Sequence, residues 1–203
     1  MKYLAIDTSG EYLTVIAKNN SKKSVHFAPT CGVKHSVNLM PAVERALAEA
    51  DLKLSDADFF CAVTGPGSFT GIRIGVSTVK ALADSLKKPV IGVTTLEAIA
   101  YTVGEGKRLS VIDAKHDHFY VEGFDGEAVT VPPKYAHVSE VLELAKTYKL
   151  IAYRPIEGLS CEITDVSMGL ERAVEAFVDR QSEDTNSLSP FYLRLSQAEE
   201  GRK

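Results

Sequence analysis

A short apolar strand passes into a long amphipathic helix through Gly65-Pro66-Gly67-Ser68-Phe69-Thr70-Gly71-Ile72-Arg73-Ile74-Gly75. Glycines allow a sharp bend and a close approach, and the free amides that begin a helix suit an anion. On that interpretation Gly65, Gly67 and Ser68 would cradle a phosphate. Alternatively the run is a tight turn, with Ser68 or Thr70 capping the helix and the glycines serving packing. The spacing fits neither the dinucleotide fingerprint nor the P-loop, so both interpretations stay open.

Composition indicates a globular protein that does not bind nucleic acid through its own electric field. The chain has 203 residues, of which 45% are hydrophobic and 25% charged, and its net charge is -4. Neutralising nucleic-acid phosphates requires clustered Lys and Arg. We therefore expect any contact with nucleic acid to be indirect, and a solvated polar tail is favoured over one in which Arg194, Arg202 and Lys203 touch phosphates.

Cysteine usage and the N-terminus both favour a cytoplasmic protein. The chain has three cysteines, Cys31, Cys61 and Cys161, and no Cys-x-x-Cys pair. An odd number of widely spaced cysteines indicates neither a disulfide framework nor a zinc site. An acid at Asp7 interrupts the N-terminal apolar run too early for a signal peptide, and no later run is long enough to span a membrane.

Short apolar strands alternate with amphipathic helices along the chain, which favours an α/β fold. Strands are expected at 3–6, 12–17, 25–28, 58–63, 89–93, 109–112, 119–124 and 150–153. Helices are expected at 36–50, 69–86, 96–103, 139–146 and 166–178. Beyond residue 179 the chain is polar, and we expect it to be loosely held.

An internal repeat links the two halves. Residues 5–15 and 111–121 share the order strand, Asp, polar turn, strand, with Asp7 and Asp113 at corresponding places. Chance similarity of two hairpins is one explanation, because hairpins are common. If the repeat is real, it predicts a lobe at 1–107 and a smaller lobe at 108–203 that carries the polar tail. A cleft between such lobes could hold a nucleotide near the two carboxylates.

Several motifs together resemble the bacterial TsaB (YeaZ) family across nearly the whole chain. They are Asp7-Thr8-Ser9, His35-Ser36, the glycine run from Gly65 to Gly75, Thr94-Thr95-Leu96-Glu97, Asp113-Ala114-Lys115 and Tyr192-Leu193-Arg194. The resemblance implies the actin-like (ribonuclease-H-like, ASKHA) two-lobed fold with a reduced second lobe. It also implies an accessory role in forming threonylcarbamoyladenosine at position 37 of tRNA. In that system the paralogue TsaD is catalytic, and TsaE is an ATPase that joins the assembly.

Departures from the catalytic paralogue indicate a noncatalytic chain without metal or cofactor. The paralogue binds metal through a His-x-x-x-His pair, whereas here Leu39 stands four residues after His35. His35 is therefore expected to form a hydrogen bond or a cap. Protease chemistry is not expected either, since no Gly-x-Ser-x-Gly elbow occurs. The rival hypothesis is an ATP-binding or phosphoryl-transfer enzyme that uses Asp7, Asp113 and the glycine turn.

The helix expected at 36–50 carries more apolar surface than one contact requires, and the helix expected at 69–86 carries a continuous apolar stripe. The resemblance implies that these helices pack against their counterparts in the TsaD-like subunit or in a second copy of the chain. The alternative is that both apolar rows face the protein's own sheet. The predicted interface consists of Leu39, Met40, Val43, Leu47, Ile72, Gly75, Val76 and Val79.

Overall fold

The computed structural model describes residues 1–31 and 34–194. Within these ranges the chain forms two compact units. The first contains Met1–Thr94 and Ala173–Phe191, and the second contains Thr95–Arg172 and the described residues from Tyr192 onward. Each unit is built around one five-stranded sheet.

The first unit has a sheet in the order β3-β2-β1-β4-β5. Strands β1, β2 and β3 form an antiparallel meander, while β4 and β5 run parallel to β1. All five residues of β4 are buried, as a central parallel strand covered on both faces requires. The strands are β1 (Lys2–Asp7), β2 (Leu13–Asn19), β3 (Lys22–Ala28), β4 (Phe59–Val63) and β5 (Val90–Val93).

Two long helices cover this sheet. Helix α1 (His35–Ala50) packs on β2 and β3, and α2 (Phe69–Leu86) packs on β1, β4 and β5. Ser68 caps α2, since its hydroxyl accepts a hydrogen bond from the Gly71 amide, and this confirms the predicted cap. Among the described residues no helix is both long and apolar enough to cross a lipid bilayer.

The second unit repeats this topology. Its sheet has the order β8-β7-β6-β9-β10, with β6, β7 and β8 antiparallel and with β9 and β10 parallel to β6. Strand β6 thus corresponds to β1, which confirms the predicted internal repeat. The strands are β6 (Lys107–Asp113), β7 (His118–Asp125), β8 (Ala128–His137), β9 (Lys149–Ala152) and β10 (Glu162–Ile163). The helices are α3 (Thr95–Ala100), α4 (Val138–Leu144) and α5 (Val166–Ala176), whose residues from Ala173 onward belong to the first unit.

Strand β8 was not predicted from the sequence. Pro132 and Pro133 interrupt it, and prolines normally argue against a strand because they cannot donate to the ladder. The strand tolerates them because it lies at the edge of the sheet, and the pairing with β7 shifts register where they occur, between Val121 and Gly123.

The boundary between the units also differs from the prediction of 107/108. Contacts divide the chain at Thr94–Thr95, because α3 packs on β6, β7 and β9 and so belongs with the second sheet. Ser110 on β6 donates a hydrogen bond to the Leu96 carbonyl at 2.8 Å, which ties the helix to that sheet.

The expectation of a loosely held chain beyond residue 179 is wrong for residues up to 191. Ser182 exchanges two backbone hydrogen bonds with Val90 on β5, at 2.9 and 3.0 Å. Leu188 is buried in the core of the first unit, and the Phe191 amide donates to the Thr64 carbonyl at 2.8 Å. The segment therefore belongs to the first unit. Arg202 and Lys203 lie outside the described residues.

The glycine-rich turn packs directly against the hairpin between β1 and β2. A Cβ atom at Gly71 would lie 2.0 Å from the Thr8 carbonyl oxygen, and one at Gly75 would lie 2.4 Å from Thr8 Oγ1. Two hydrogen bonds join the same elements: Thr8 Oγ1 donates to the Gly71 carbonyl at 2.7 Å, and the Ser68 amide donates to the Ser9 carbonyl at 2.6 Å. These glycines therefore permit close packing.

This packing predicts that Gly71→Ala lowers the free energy of unfolding by about 3 kcal/mol or more, because a methyl group cannot share space with a backbone carbonyl. Gly104 is the matched control, since no atom lies within 4 Å of a Cβ placed there. Gly104→Ala should leave stability unchanged or raise it by up to about 1 kcal/mol. Urea unfolding of both variants measures the difference, and equal stabilities would contradict the packing role.

Candidate functional site

An open groove with a volume of about 550 Å³ lies between α1 and α2 on the first unit. Helix α1 contributes Ser36, Leu39 and Met40 to its walls. Helix α2 contributes the other wall, through Phe69, Thr70, Arg73, Ile74, Ser77 and Thr78. Its walls thus combine apolar, hydroxyl and guanidinium groups.

Most of the predicted interface residues are buried within the first unit, although Leu39 also lines the groove. Six of them pack in the core of the first unit, and their assignment to a partner interface stays a prediction; they are Leu39, Val43, Ile72, Gly75, Val76 and Val79. Met40 remains 43% exposed, and Leu47 is partly buried. Periodicity identifies the apolar stripe of a helix. The centre of that stripe packs against the sheet, and only its flank remains at the surface.

The surface flank of α2 carries residues that the prediction left out. The guanidinium carbon of Arg73 lies 3.8 Å from the centre of the Phe69 ring, a cation–π contact between residues four positions apart. The contact holds the long arginine side chain along the groove. The spacing of Phe69 and Arg73 on one helix face was a sequence signal for this feature.

Asp7, which the nucleotide hypothesis uses, lies at the end of β1 and is fully buried. Its Oδ1 accepts a hydrogen bond from the Ser9 amide at 2.8 Å, and its Oδ2 accepts one from the Tyr12 hydroxyl at 2.9 Å. Burial raises the pKa of Asp7, although the bonds from Ser9 and Tyr12 and the nearby His35 oppose this. Both oxygens are therefore engaged in holding the hairpin.

Asp113 stands at the corresponding place in the second unit but in a different environment. Its side chain is 26% exposed and forms an ion pair with Lys115 at 2.7 Å, while Arg154 lies 3.9 Å away. Burial alone would raise the pKa of Asp113, but hydrogen bonds and charge from Lys115, with Arg154, lower it below the usual value. Of the two repeated carboxylates, only this one reaches solvent.

The remaining residues of the nucleotide hypothesis belong to the glycine turn. Gly67 and Ser68 are exposed, whereas Gly65 is buried. The Ser68 amide already donates a hydrogen bond to the Ser9 carbonyl, and the Ser68 hydroxyl caps α2. Two of the groups that a phosphate would use are thus occupied within the chain.

Two of the histidines serve structural contacts. His35 is buried, and its Nε2 lies 2.9 Å from the Tyr12 carbonyl, which confirms the predicted hydrogen bond. His137 caps α4 by accepting from the Ser139 amide, and its Nδ1 lies 2.9 Å from the Ser139 hydroxyl. Residues 1–31 and 34–194 contain no group of three or more His, Cys, Asp or Glu side chains arranged to hold a metal.

Comparison with known proteins places the chain in a family. Residues 15–178 match the family model described as "TsaD: tRNA N6-adenosine threonylcarbamoyltransferase". The chain is 28% identical to the tRNA threonylcarbamoyladenosine biosynthesis protein TsaB of Bacillus subtilis, over 98% of this chain and 96% of that protein. The chain belongs to the TsaD family, among its TsaB (YeaZ) members.

Two further comparisons concern another TsaB protein and a YeaZ-like structure. The TsaB protein of Escherichia coli is 35% identical over 59% of this chain and 53% of that protein, so the chain matches about half the length of that relative. A crystal structure of an uncharacterized Pseudomonas aeruginosa protein, described as similar to peptidase YEAZ, superposes with a TM-score of 0.79 at 26% identity. That match covers 95% of this chain and 99% of the other. The α/β fold predicted from the TsaB resemblance is thus shared with this YeaZ-like structure.

Replacing Asp7 tests whether its role in this TsaB-family hairpin is structural. Asp7→Ala leaves two buried donors without acceptors and should lower the free energy of unfolding by about 2–4 kcal/mol. Asp7→Asn retains an oxygen for Ser9 and an amide N–H for the Tyr12 hydroxyl oxygen, so it should cost less than about 1 kcal/mol. Chemical unfolding at one pH compares the two. Full stability of the alanine variant would contradict the structural role.

The pH dependence of Asp7 has a definite sign. Since folding raises its pKa above 3.8, the folded state binds this proton more tightly than the unfolded state does. The stability of the wild type relative to Asp7→Asn should therefore fall as the pH rises from 3.8 through the raised value. Unfolding curves of both proteins across this range measure it, and a relative stability that rises with pH would show that the pKa is lowered.

Proposed function

We propose that this chain is a noncatalytic accessory subunit for threonylcarbamoyladenosine formation on tRNA. In this role it binds the TsaD-like catalytic paralogue through the groove between α1 and α2. The observation that carries the proposal is this groove, which offers Met40 and the Arg73–Phe69 pair on the surface of a TsaB-family fold. A TsaE-like ATPase would join the assembly, and a second copy of the chain could occupy the same surface.

The composition of the groove suits a protein partner. Protein interfaces are enriched in aromatic residues, Met and Arg, and buried residues of these types often dominate the binding energy. Phe69, Arg73 and Met40 supply one of each, and Ser36 and Ser77 provide hydroxyl groups for a polar rim. Six of the predicted interface residues are already buried in the core of the first unit. A partner would therefore contact the outer flanks of α1 and α2.

The buried carboxylate supports a noncatalytic role. Asp7 has both oxygens committed to the hairpin, and His35 bonds to a backbone carbonyl instead of facing a second histidine. Catalysis would then belong to the paralogue. Since the net charge is -4, tRNA would be held mainly by other subunits, and the proposed site of action is the cytoplasm.

The rival function is nucleotide binding or phosphoryl transfer through Asp7, Asp113, Gly65, Gly67 and Ser68. The exposure of Asp113 is the observation in its favour. It predicts saturable binding of ATP with magnesium to the isolated chain, which calorimetry measures directly. Heat of binding that persists in a folded Asp113→Asn variant would remove Asp113 from that site.

A charged residue in the groove should weaken binding of the catalytic paralogue. Met40→Glu places a carboxylate at a side chain that is 43% exposed, so the isolated chain should stay folded. We expect the affinity for the paralogue to fall by about tenfold or more, because the charge would be buried without a partner. Met168→Glu is the matched control, since Met168 is 46% exposed on a helix of the second unit.

Co-purification and calorimetry with the paralogue provide the readout, together with a tRNA modification assay. Equal binding by Met40→Glu and the wild type would reject the groove as the interface. Modification that proceeds fully without this chain would reject the accessory role. Val43 and Val76 are unsuitable for this test, because both lie in the core and a charge there would unfold the protein.

A further inference from the structure

A second, smaller cavity lies in the second unit, beyond the end of α3. Its volume is about 290 Å³, and it is lined by Tyr101, Val103, Gly104, Arg108, Glu127 and Arg172. None of these residues belongs to the groove or to the repeated Asp hairpins. Two guanidinium groups on its walls distinguish it from an ordinary surface depression.

Arg108 projects from β6 and is only 2% exposed. Its Nε donates to the Ala100 carbonyl at 2.7 Å, and its Nη1 lies 3.3 Å from the Gly106 carbonyl. Its Nη2 makes no hydrogen bond to a described residue. Arg108 lines the cavity, and Nη2 is the donor that remains for a ligand there.

Arg172, on α5, reaches the same turn of the chain. Its Nη1 donates to the Thr102 carbonyl at 2.9 Å, two residues beyond the carbonyl that Arg108 binds. These bonds fix both guanidinium groups at one wall of the cavity before any ligand arrives. Preorganisation of this kind lowers the entropic cost of binding.

The two arginines of the cavity form no close ion pair within the described residues, although the carboxylates of Asp125 and Glu127 lie near. Neither Arg108 nor Arg172 forms an ion pair there, and Glu127 lines the cavity without a hydrogen bond to either arginine. Burial lowers the pKa of Arg108, although Tyr101 and Asp125 oppose this. Neutral carbonyls satisfy donors but do not neutralise charge, so a buried guanidinium keeps an affinity for an anion.

We propose that this cavity binds the anionic group of a small molecule, a phosphate or a carboxylate, between Arg108 and Arg172. Guanidinium groups present several N–H donors in a plane, which matches the oxygens of either group. The cavity volume accommodates a small metabolite and excludes a folded partner. Glu127 contributes negative charge at the wall, which opposes anion binding.

Titration of the full chain with inorganic phosphate, and separately with acetate, tests the proposal at constant ionic strength. NMR should show saturable shifts of the Arg108 Nε–H and of the amides from Tyr101 to Gly106. The anion that saturates at the lower concentration identifies the preferred group. Absence of saturable shifts with both anions would overturn the proposal.

Three variants separate this site from general attraction of anions. Arg172→Ala removes an exposed side chain and should weaken binding about tenfold or more, while Glu127→Gln should strengthen it about two- to threefold. Arg45→Ala is the matched control, since Arg45 is exposed on α1 of the first unit, and it should change affinity less than twofold. Equal weakening by Arg172→Ala and Arg45→Ala would overturn the proposal, as would weaker binding by Glu127→Gln.

Discussion

The first unit depends on the close contact between the glycine-rich turn and the hairpin of β1 and β2. Thr8 and Ser9 each form a hydrogen bond with this turn, and side chains at Gly71 or Gly75 would occupy the space of Thr8. The contact fixes where α2 begins and which of its faces meets the sheet. That choice in turn leaves Phe69 and Arg73 facing away from the core, next to α1, and so creates the groove.

Much of the fold could be predicted because local patterns and tertiary structure agree. Apolar runs such as β4 are short and bounded by turn residues. Ser68 stands at the start of α2, and its hydroxyl accepts the hydrogen bond that caps this helix. The internal repeat was visible because Asp7 and Asp113 end equivalent strands. Their roles were not visible, since burial and the two hydrogen bonds on Asp7 depend on Tyr12 and on the packing around it.

Other features could not be predicted because they depend on neighbours distant in sequence. Strand β8 contains Pro132 and Pro133, and only its place at the sheet edge makes them acceptable. Helix α3 lies between two sheets in sequence, and its partner is decided by contacts such as Ser110 with Leu96. A helical stripe does not reveal which of its rows the sheet will cover, and Val43 and Val76 of the predicted interface are buried in the core.

Residues 173–191 make the first unit depend on a segment that lies far along the chain from the rest of it. The first unit is assembled from both ends of the sequence, and its core includes Leu188. A chain cut after residue 107 would lose this side chain and would leave β5 with unpaired backbone groups where Ser182 now binds. Such an exposed edge promotes pairing with other strands. During synthesis the first sheet would therefore remain open at this edge until almost the whole chain had been made.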